Sequence, residues 1–285
     1  MTRAYGVGLI GWGVLLVLGA RSTAVADLWT AGHGDLGPEI VKGTGEAADE
    51  VHLHLHLHKG AVVGGQELSD DGEFALGDVT VHVPRIAGST YVNSYGSSAA
   101  LWLVGQDQGT VASQSLQTRL GLPEYAFFWN LPDDAGLGGD YPFLGYGYHE
   151  EGWGTSDLKA KLTLVAFTGP VGGEFVLWRS GPKLVHMQTS DGISEATDFL
   201  EFTTDHGHAN WSFSKVGAYT LTIRSDAYVL NGSVWDWIGS DQGTLNFQVV
   251  PEPSSLVLVG IGLGGCLLAG VVRGRRARRV ARQKA

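Results

Sequence analysis

Between Glu50 and Lys59 the chain reads Glu-Val-His-Leu-His-Leu-His-Leu-His-Lys, so imidazoles recur at His52, His54, His56 and His58. Strict alternation marks an extended strand, whose side chains point to opposite faces in turn. Val51, Leu53, Leu55 and Leu57 then take one face, and the four histidines share the other. Same-face neighbours lie ~6.5–7 Å apart along a strand, so two imidazoles can converge on one ion at ~2.0–2.1 Å from each nitrogen. His206-Gly207-His208 repeats the His-x-His spacing. Neutral imidazoles suit Zn, Cu or Ni, and a nearby carboxylate such as Asp205 adds an oxygen donor. The candidate metal ligands are therefore His206, His208, His52, His54 and His56, with a divalent metal such as Zn as the implied cofactor. The plainer alternatives are a solvated strand face for the early stripe and, for His206 and His208, a hydrogen-bonded corner with Asn210.

Other reactive groupings are weaker. The pairs Asp133-Asp134 and Glu150-Glu151 offer carboxylates for glycoside hydrolysis. Adjacent residues diverge, however, and catalytic carboxylates normally come from separate elements. The segment Ala135 to Asp157 holds Tyr141, Phe143, Tyr146, Tyr148 and Trp153 and reads as a long aromatic loop. Such loops on a β scaffold often carry function, and these rings can stack on sugars, which makes a carbohydrate-binding module a further alternative. No Gly-x-Ser-x-Gly, P-loop, dinucleotide fingerprint or His-Glu-x-x-His occurs, and no catalytic residue is assigned.

The elements that must position these residues are strands. The 43 glycines, abundant aromatics and few helix-forming runs imply many short strands and tight turns. Asp27 to Asp49 is glycine-rich and polar and reads as a wrap or lead-in to the histidine strand. Further strands are expected at Val79 to Val83, Ala99 to Val104, Tyr125 to Asn130 and Lys183 to Gln188. Lys159 to Phe167 and Glu174 to Arg179 read as a hairpin about Gly169–Gly173. Trp211 to Phe213 and Ala218 to Ile223 read as another about Lys215-Val216-Gly217, with Tyr219, Leu221 and Ile223 on one face. Thr244 to Val250 alternates through Leu245, Phe247 and Val249. Roughly ten strands without an amphipathic helix imply an all-β, antiparallel β-sandwich, immunoglobulin-like or jelly-roll.

Both ends differ from this body. Arg3, an apolar stretch from Gly6 to Ala20 and Ala24-Val25-Ala26 form an expected signal peptide over residues 1–26, cleaved before Asp27. Pro251, Glu252 and Pro253 precede an apolar, charge-free run that serves as a transmembrane helix over residues 254–272. Its core from Leu256 to Val272 reaches ~26 Å as a helix, slightly under a ~30 Å hydrocarbon core. The basic tail of residues 273–285 follows, and Arg273, Arg275, Arg276, Arg278 and Arg279 act as a cytoplasmic membrane stop. Residues 27–250, some 224 in all, are then the exported domain. Seven of the 19 basic residues lie in the tail and two in the leader, so ten remain against 28 acidic ones. The exported part therefore carries about −18, which repels nucleic acid and acidic polymers and favours solubility or cation uptake. The only cysteine, Cys266, lies in the membrane run, so this domain has no disulfide.

The order Pro251-Glu252-Pro253, glycine-rich span Val259 to Gly265 and arginine cluster resembles the PEP-CTERM sorting signal of bacteria. The resemblance implies export through the Sec translocon and processing by an exosortase near residues 251–253. It also implies a transient inner-membrane anchor and delivery to the cell envelope or the exterior, where an extracellular polysaccharide is a candidate partner. A second resemblance lies in Asp205-His206-Gly207-His208-Ala209-Asn210-Trp211-Ser212-Phe213, followed by Gly217-Ala218-Tyr219. It is similar to the His-x-His-x-Asn-Trp-x-Phe hallmark of the bacterial surface-anchored domain called choice-of-anchor M. Looser matches are Val51-His52-Leu53, Leu101-Trp102-Leu103-Val104, Pro142-Phe143-Leu144-Gly145 and Thr168-Gly169-Pro170. Lys215-Val216-Gly217 replaces that family's commoner Lys-Pro-Gly. This resemblance implies an exported β-domain without known catalysis, some members of which accompany metal-type transport systems. The expectation is thus a non-enzymatic envelope or matrix protein with a binding or structural role, with surface metal binding as an alternative.

Overall fold

The computed structural model describes residues 26–84, 101–103, 127–133, 141–154, 157–179 and 184–250. The expected leader, the sorting motif Pro251, Glu252 and Pro253, the membrane run and the stop at Arg273, Arg275, Arg276, Arg278 and Arg279 lie outside the described residues. Among the described residues no helix is long and apolar enough to cross a membrane.

The regular elements of the described chain are almost all strands, eighteen of them with a single turn of 3-10 helix at Leu76–Asp78. The first half holds β1 (Asp27–Val41), β2 (Glu50–Leu57), β3 (Val62–Val63), β4 (Gln66–Glu67), β5 (Gly72–Phe74), β6 (Val79–Val83), β7 (Leu101–Leu103), β8 (Phe127–Leu131) and β9 (Pro142–Tyr146). The second half holds β10 (His149–Glu151), β11 (Leu158–Thr168), β12 (Phe175–Arg179), β13 (Leu184–Gln188), β14 (Phe199–Phe202), β15 (Gly207–His208), β16 (Asn210–Phe213), β17 (Gly217–Asn231) and β18 (Val234–Val249).

Two sheets result. The larger runs β14-β11-β17-β18-β6-β1-β2-β5, with β9 and β10 also along β1, β15 on β9, and β3 joining β1 to β4. The smaller runs β13-β12-β16-β8-β7. Period-2 patterning explains the core. Tyr219, Leu221 and Ile223 of β17 are buried, as are Leu245, Phe247 and Val249 of β18, while the residues between them are less so. Phe175, Leu177, Trp211 and Phe213 of the smaller sheet join them in one apolar cluster, with ring centroids 4.9 Å apart for Phe213–Phe247 and for Phe213–Tyr219.

Several expectations are corrected. The larger sheet is mixed rather than antiparallel, because β6 runs parallel to both β1 and β18, and β9 and β10 run parallel to β1. Alternation fixes the face a strand buries but not the direction of its neighbour, and these partners are distant in sequence. The stretch read as a lead-in is β1, the central strand. Gly32 turns it at φ +88°, where the Cα of Ala61 would lie 2.6 Å from any Cβ. Beyond Gly32 the strand leaves β3 and β6 and pairs with β2, β9 and β10. Pro38 is tolerated because on that side β9 ends opposite Leu36 and β10 starts opposite Glu39.

Neither expected hairpin forms. β11 pairs with β14 and β17, and β12 with β13 and β16, so Gly169–Gly173 carries the chain between the sheets. Lys215–Gly217 likewise leads from β16 in the smaller sheet to β17 in the larger. The Tyr219 hydroxyl braces that corner, donating to the Lys215 carbonyl at 2.9 Å and accepting the Lys215 amide at 3.0 Å. The expected aromatic loop instead contains β9 and β10, and Tyr141, Phe143, Tyr146 and Trp153 are buried. Four of the five rings that motivated sugar stacking therefore pack inside the protein, and Tyr148 is half-buried.

Candidate metal centre

Residues paired across neighbouring strands project to the same face. Around β1 this rule gathers histidines. Asp35 pairs with His56, Gly37 with His54, and Glu39 with His52 of β2. On its other side β1 pairs His33 with Phe143, Asp35 with Gly145, and Glu39 with His149. Gly145 in turn pairs with His208, and His56 pairs with Glu73 of β5. One face of this part of the sheet is Leu36, Ile40, Val51, Leu53, Leu55, Leu57, Leu144 and Tyr146, all buried. The opposite face is imidazole and carboxylate, with Phe143 packed against His33 and His208.

Asp35 is the hub. Its side chain is only 7% exposed, and its Oδ2 lies 3.1 Å from both His58 Nε2 and His206 Nδ1. Its Oδ1 is 3.6 Å from His33 Nε2, beyond hydrogen-bond reach, and both of those atoms are buried without a hydrogen-bond partner. Among the described residues its ion-pair partners are histidines alone. Gly145 makes this packing feasible, since a Cβ there would sit 2.1 Å from Asp35 Oδ1. Around the hub, the His33 ring stacks on His58 at 4.5 Å and meets His206 edge-on at 5.0 Å, while His206 and His208 are 4.4 Å apart. His208 Nε2 is a further buried atom without a partner.

Burial, reinforced by the neighbouring histidines, pushes His33 down to about 4 against the pull of Asp35. His208 is lowered chiefly by burial and then by His206; His56 by burial and then by His149; His149 by burial and then by His54. These rings are therefore neutral at neutral pH, the form that ligates metals.

Four donor sets emerge, in each of which one ligand atom per residue lies within 4.8 Å of the others: His33, Asp35 and His58; His33, His206 and His208; His56, His58 and Asp71; and His54, His56, Glu73 and His149. An ion at ~2.0–2.1 Å from tetrahedral donors needs them ~3.3 Å apart, so the side chains draw in by up to ~1.5 Å.

Of the five residues anticipated as ligands, His206, His208, His54 and His56 lie in these sets. His52 stands apart: it is exposed, faces Glu50 at 3.0 Å and belongs to none of them. Asn210 bonds Asn130 at 2.9 Å, within a buried network that includes Ser212 and Trp178, whereas His206 turns to Asp35. Sequence reasoning missed His33, Asp35, Asp71, Glu73 and His149 as candidate ligands, and left His58 out of the candidate set. For β1 the available signal was His33-Gly-Asp35 alternation, masked by glycines. Glu150, weighed as a hydrolytic carboxylate, accepts the Trp153 amide at 2.9 Å and so closes a turn.

Comparison of the chain with family models, with curated proteins and with solved structures gives no match.

Proposed function

We propose that this chain is an exported, non-catalytic protein of the cell envelope or extracellular matrix whose β-sandwich domain binds a divalent ion of the Zn, Cu or Ni class. The observation that carries the reading is Asp35, a buried carboxylate ringed by His33, His58 and His206 with neither lysine nor arginine among its described partners. A buried charge is costly unless it is paired or bound to metal. The lowered protonation of His33 removes one source of positive charge, and a cation between the rings supplies it. Imidazole and carboxylate donors without thiolate favour borderline ions over Ca, Mg or Cu(I). The two sheets sharing one apolar core support the sandwich reading, without distinguishing its immunoglobulin-like and jelly-roll forms. Export and exosortase sorting rest on the signal-like leader and the residues 251–285, and the acidic exported part suits cation capture outside the cell.

The test is elemental analysis of the purified full-length protein after loading with Zn and exhaustive dialysis. Stoichiometric Zn, reduced by one equivalent in His206→Ala/His208→Ala, is the expected result. A protein that retains no ion and melts at the same temperature with and without Zn overturns the reading. Cell fractionation tests export separately: full-length chain in the cytosol with Met1 attached refutes it.

A further inference from the structure

The geometry points to a second ion site on the same sheet face, formed by His54 and His56 of β2, His149 of β10 and Glu73 of β5. It rests on the reading of the Asp35 cluster as an ion site, but its four ligands are different side chains. The place where it forms is set by Gly37. Strands β2 and β10 flank β1 on opposite sides, so their backbones stand roughly 9–10 Å apart. Their imidazoles meet because the residue of β1 opposite His54 is a glycine that adds no side chain between them. A Cβ on Gly37 would sit 1.5 Å from the Gly147 carbonyl oxygen, so this gap is fixed by the backbone around it. Over it, the His149 ring lies 4.2 Å from His56 and 5.8 Å from His54. Glu73 arrives from the far side of β2, as the cross-strand partner of His56. Donor atoms from all four residues lie within 4.8 Å of one another.

The protonation pattern suits a metal. His54 Nδ1 lies 3.2 Å from the His52 carbonyl oxygen, which only accepts, so the tautomer that makes this bond leaves Nε2 for an ion. His56 Nδ1 is buried and has no hydrogen-bond partner. Three imidazoles and one carboxylate make a four-coordinate set for Zn, and Co(II) reports on such geometry by its visible absorption. Asp71 stands between the two sites, its Oδ2 3.8 Å from His56 Nε2 and 4.0 Å from His58 Nδ1. Its negative charge offsets the mutual repulsion of two neighbouring dications.

The experiment strips the full-length protein with a chelator and titrates Co(II), following visible absorption and bound metal. Two equivalents are expected. His149→Ala leaves one, His206→Ala leaves the other, and Glu73→Gln weakens only the site that His149→Ala removes, by about tenfold or more. A single equivalent that His206→Ala abolishes and His149→Ala spares overturns the second site while the first stands. No bound Co(II) in any form of the protein overturns both. If His149→Ala releases both ions or unfolds the chain, Glu73→Gln decides, because Glu73 is exposed: unaltered binding of two ions in that variant overturns the assignment.

Discussion

Replacing Asp35 by asparagine separates an ion-binding carboxylate from a structural one, because the two roles predict opposite signs. Asparagine keeps the shape and can serve His58 and His206 as donor or acceptor once their tautomers adjust, but it removes the charge. In chelated protein the wild-type carboxylate is buried among rings, one of them held neutral by burial. Asp35→Asn is therefore expected to leave the metal-free melting temperature unchanged or to raise it. With Zn at a hundred times its Kd, an ion bound only by the folded state adds about 2.7 kcal/mol. For a domain of this size, 1 kcal/mol is worth roughly 2–4 °C, so the wild-type rise is about 5–11 °C. Losing one full charge ~2.1 Å from a dication costs about 4 kcal/mol even with the screening of bulk water, a loss of roughly a thousandfold in affinity. At the same Zn concentration the variant should then gain under about 1 °C from this site. An ion held elsewhere contributes to both proteins and cancels in the difference between them. Paired thermal melts of full-length protein, with chelator and with Zn, read all four values. A variant that melts lower than wild type in chelator yet keeps the whole Zn-dependent rise would refute the reasoning, for Asp35 would then be a hydrogen-bond anchor.

Three further outcomes are expected. Burial pushes His186 down to about 4 and lowers His82, so the unfolded chain takes up protons between pH ~6.5 and ~4 that the folded chain refuses. That stability is fully present above pH ~6.5 and is lost on acidification, so melts of chelated protein at pH 7.5, 6 and 4.5 should fall in that order; a flat profile excludes it. Gly145→Ala forces a Cβ to 2.1 Å from Asp35 Oδ1 and 2.9 Å from the Gly207 carbonyl oxygen, and should cost about 1–3 kcal/mol in urea unfolding as well as ion binding. Tyr219→Phe removes the hydroxyl that satisfies both the amide and the carbonyl of Lys215, and should cost about 1–2 kcal/mol in the same assay with ion binding retained.

Where the alternation was strict, the sequence was readable. Val79–Val83 was anticipated with its boundaries, and the faces of β2, β17 and β18 follow their apolar periodicity. What could not be read was which strand lies beside which. His33 reaches His206 because β9 lies parallel to β1 and β15 caps β9, pairings such as Gly32 with Pro142 and Tyr146 with Gly207 that lie far apart along the chain. No local pattern encodes such a choice, since period 2 carries no partner information. The histidine stripe was visible as a stripe, but its division was not: His52 points to Glu50, while His54, His56 and His58 meet residues from β1, β5 and β10. β1 itself was hidden by composition. Gly32, Gly34 and Gly37 lower strand propensity, yet Gly37 is what lets imidazoles from both flanking strands meet.

That same non-local arrangement gives an ion a mechanical role. Donors at His33, His206 and His208 come from β1 and from β15 with the turn before it, so one ion would tie β15 directly to β1, which its strand pairing among the described residues reaches only through β9. β15 is two residues long and among the described residues pairs only with β9. A strand that short contributes little by itself, and its position is held by the fold on either side. Coordination through His206 and His208 would anchor it from the solvent face. Unfolding must break that anchorage before β9 can leave β1, so the ion should slow unfolding more than it speeds folding, because contacts of such long range form late. Chevron kinetics of the full-length protein with and without Zn measure this directly: the unfolding arm should drop with Zn while the folding arm stays nearly fixed, and the reverse partition would place the histidine face in the folding nucleus instead.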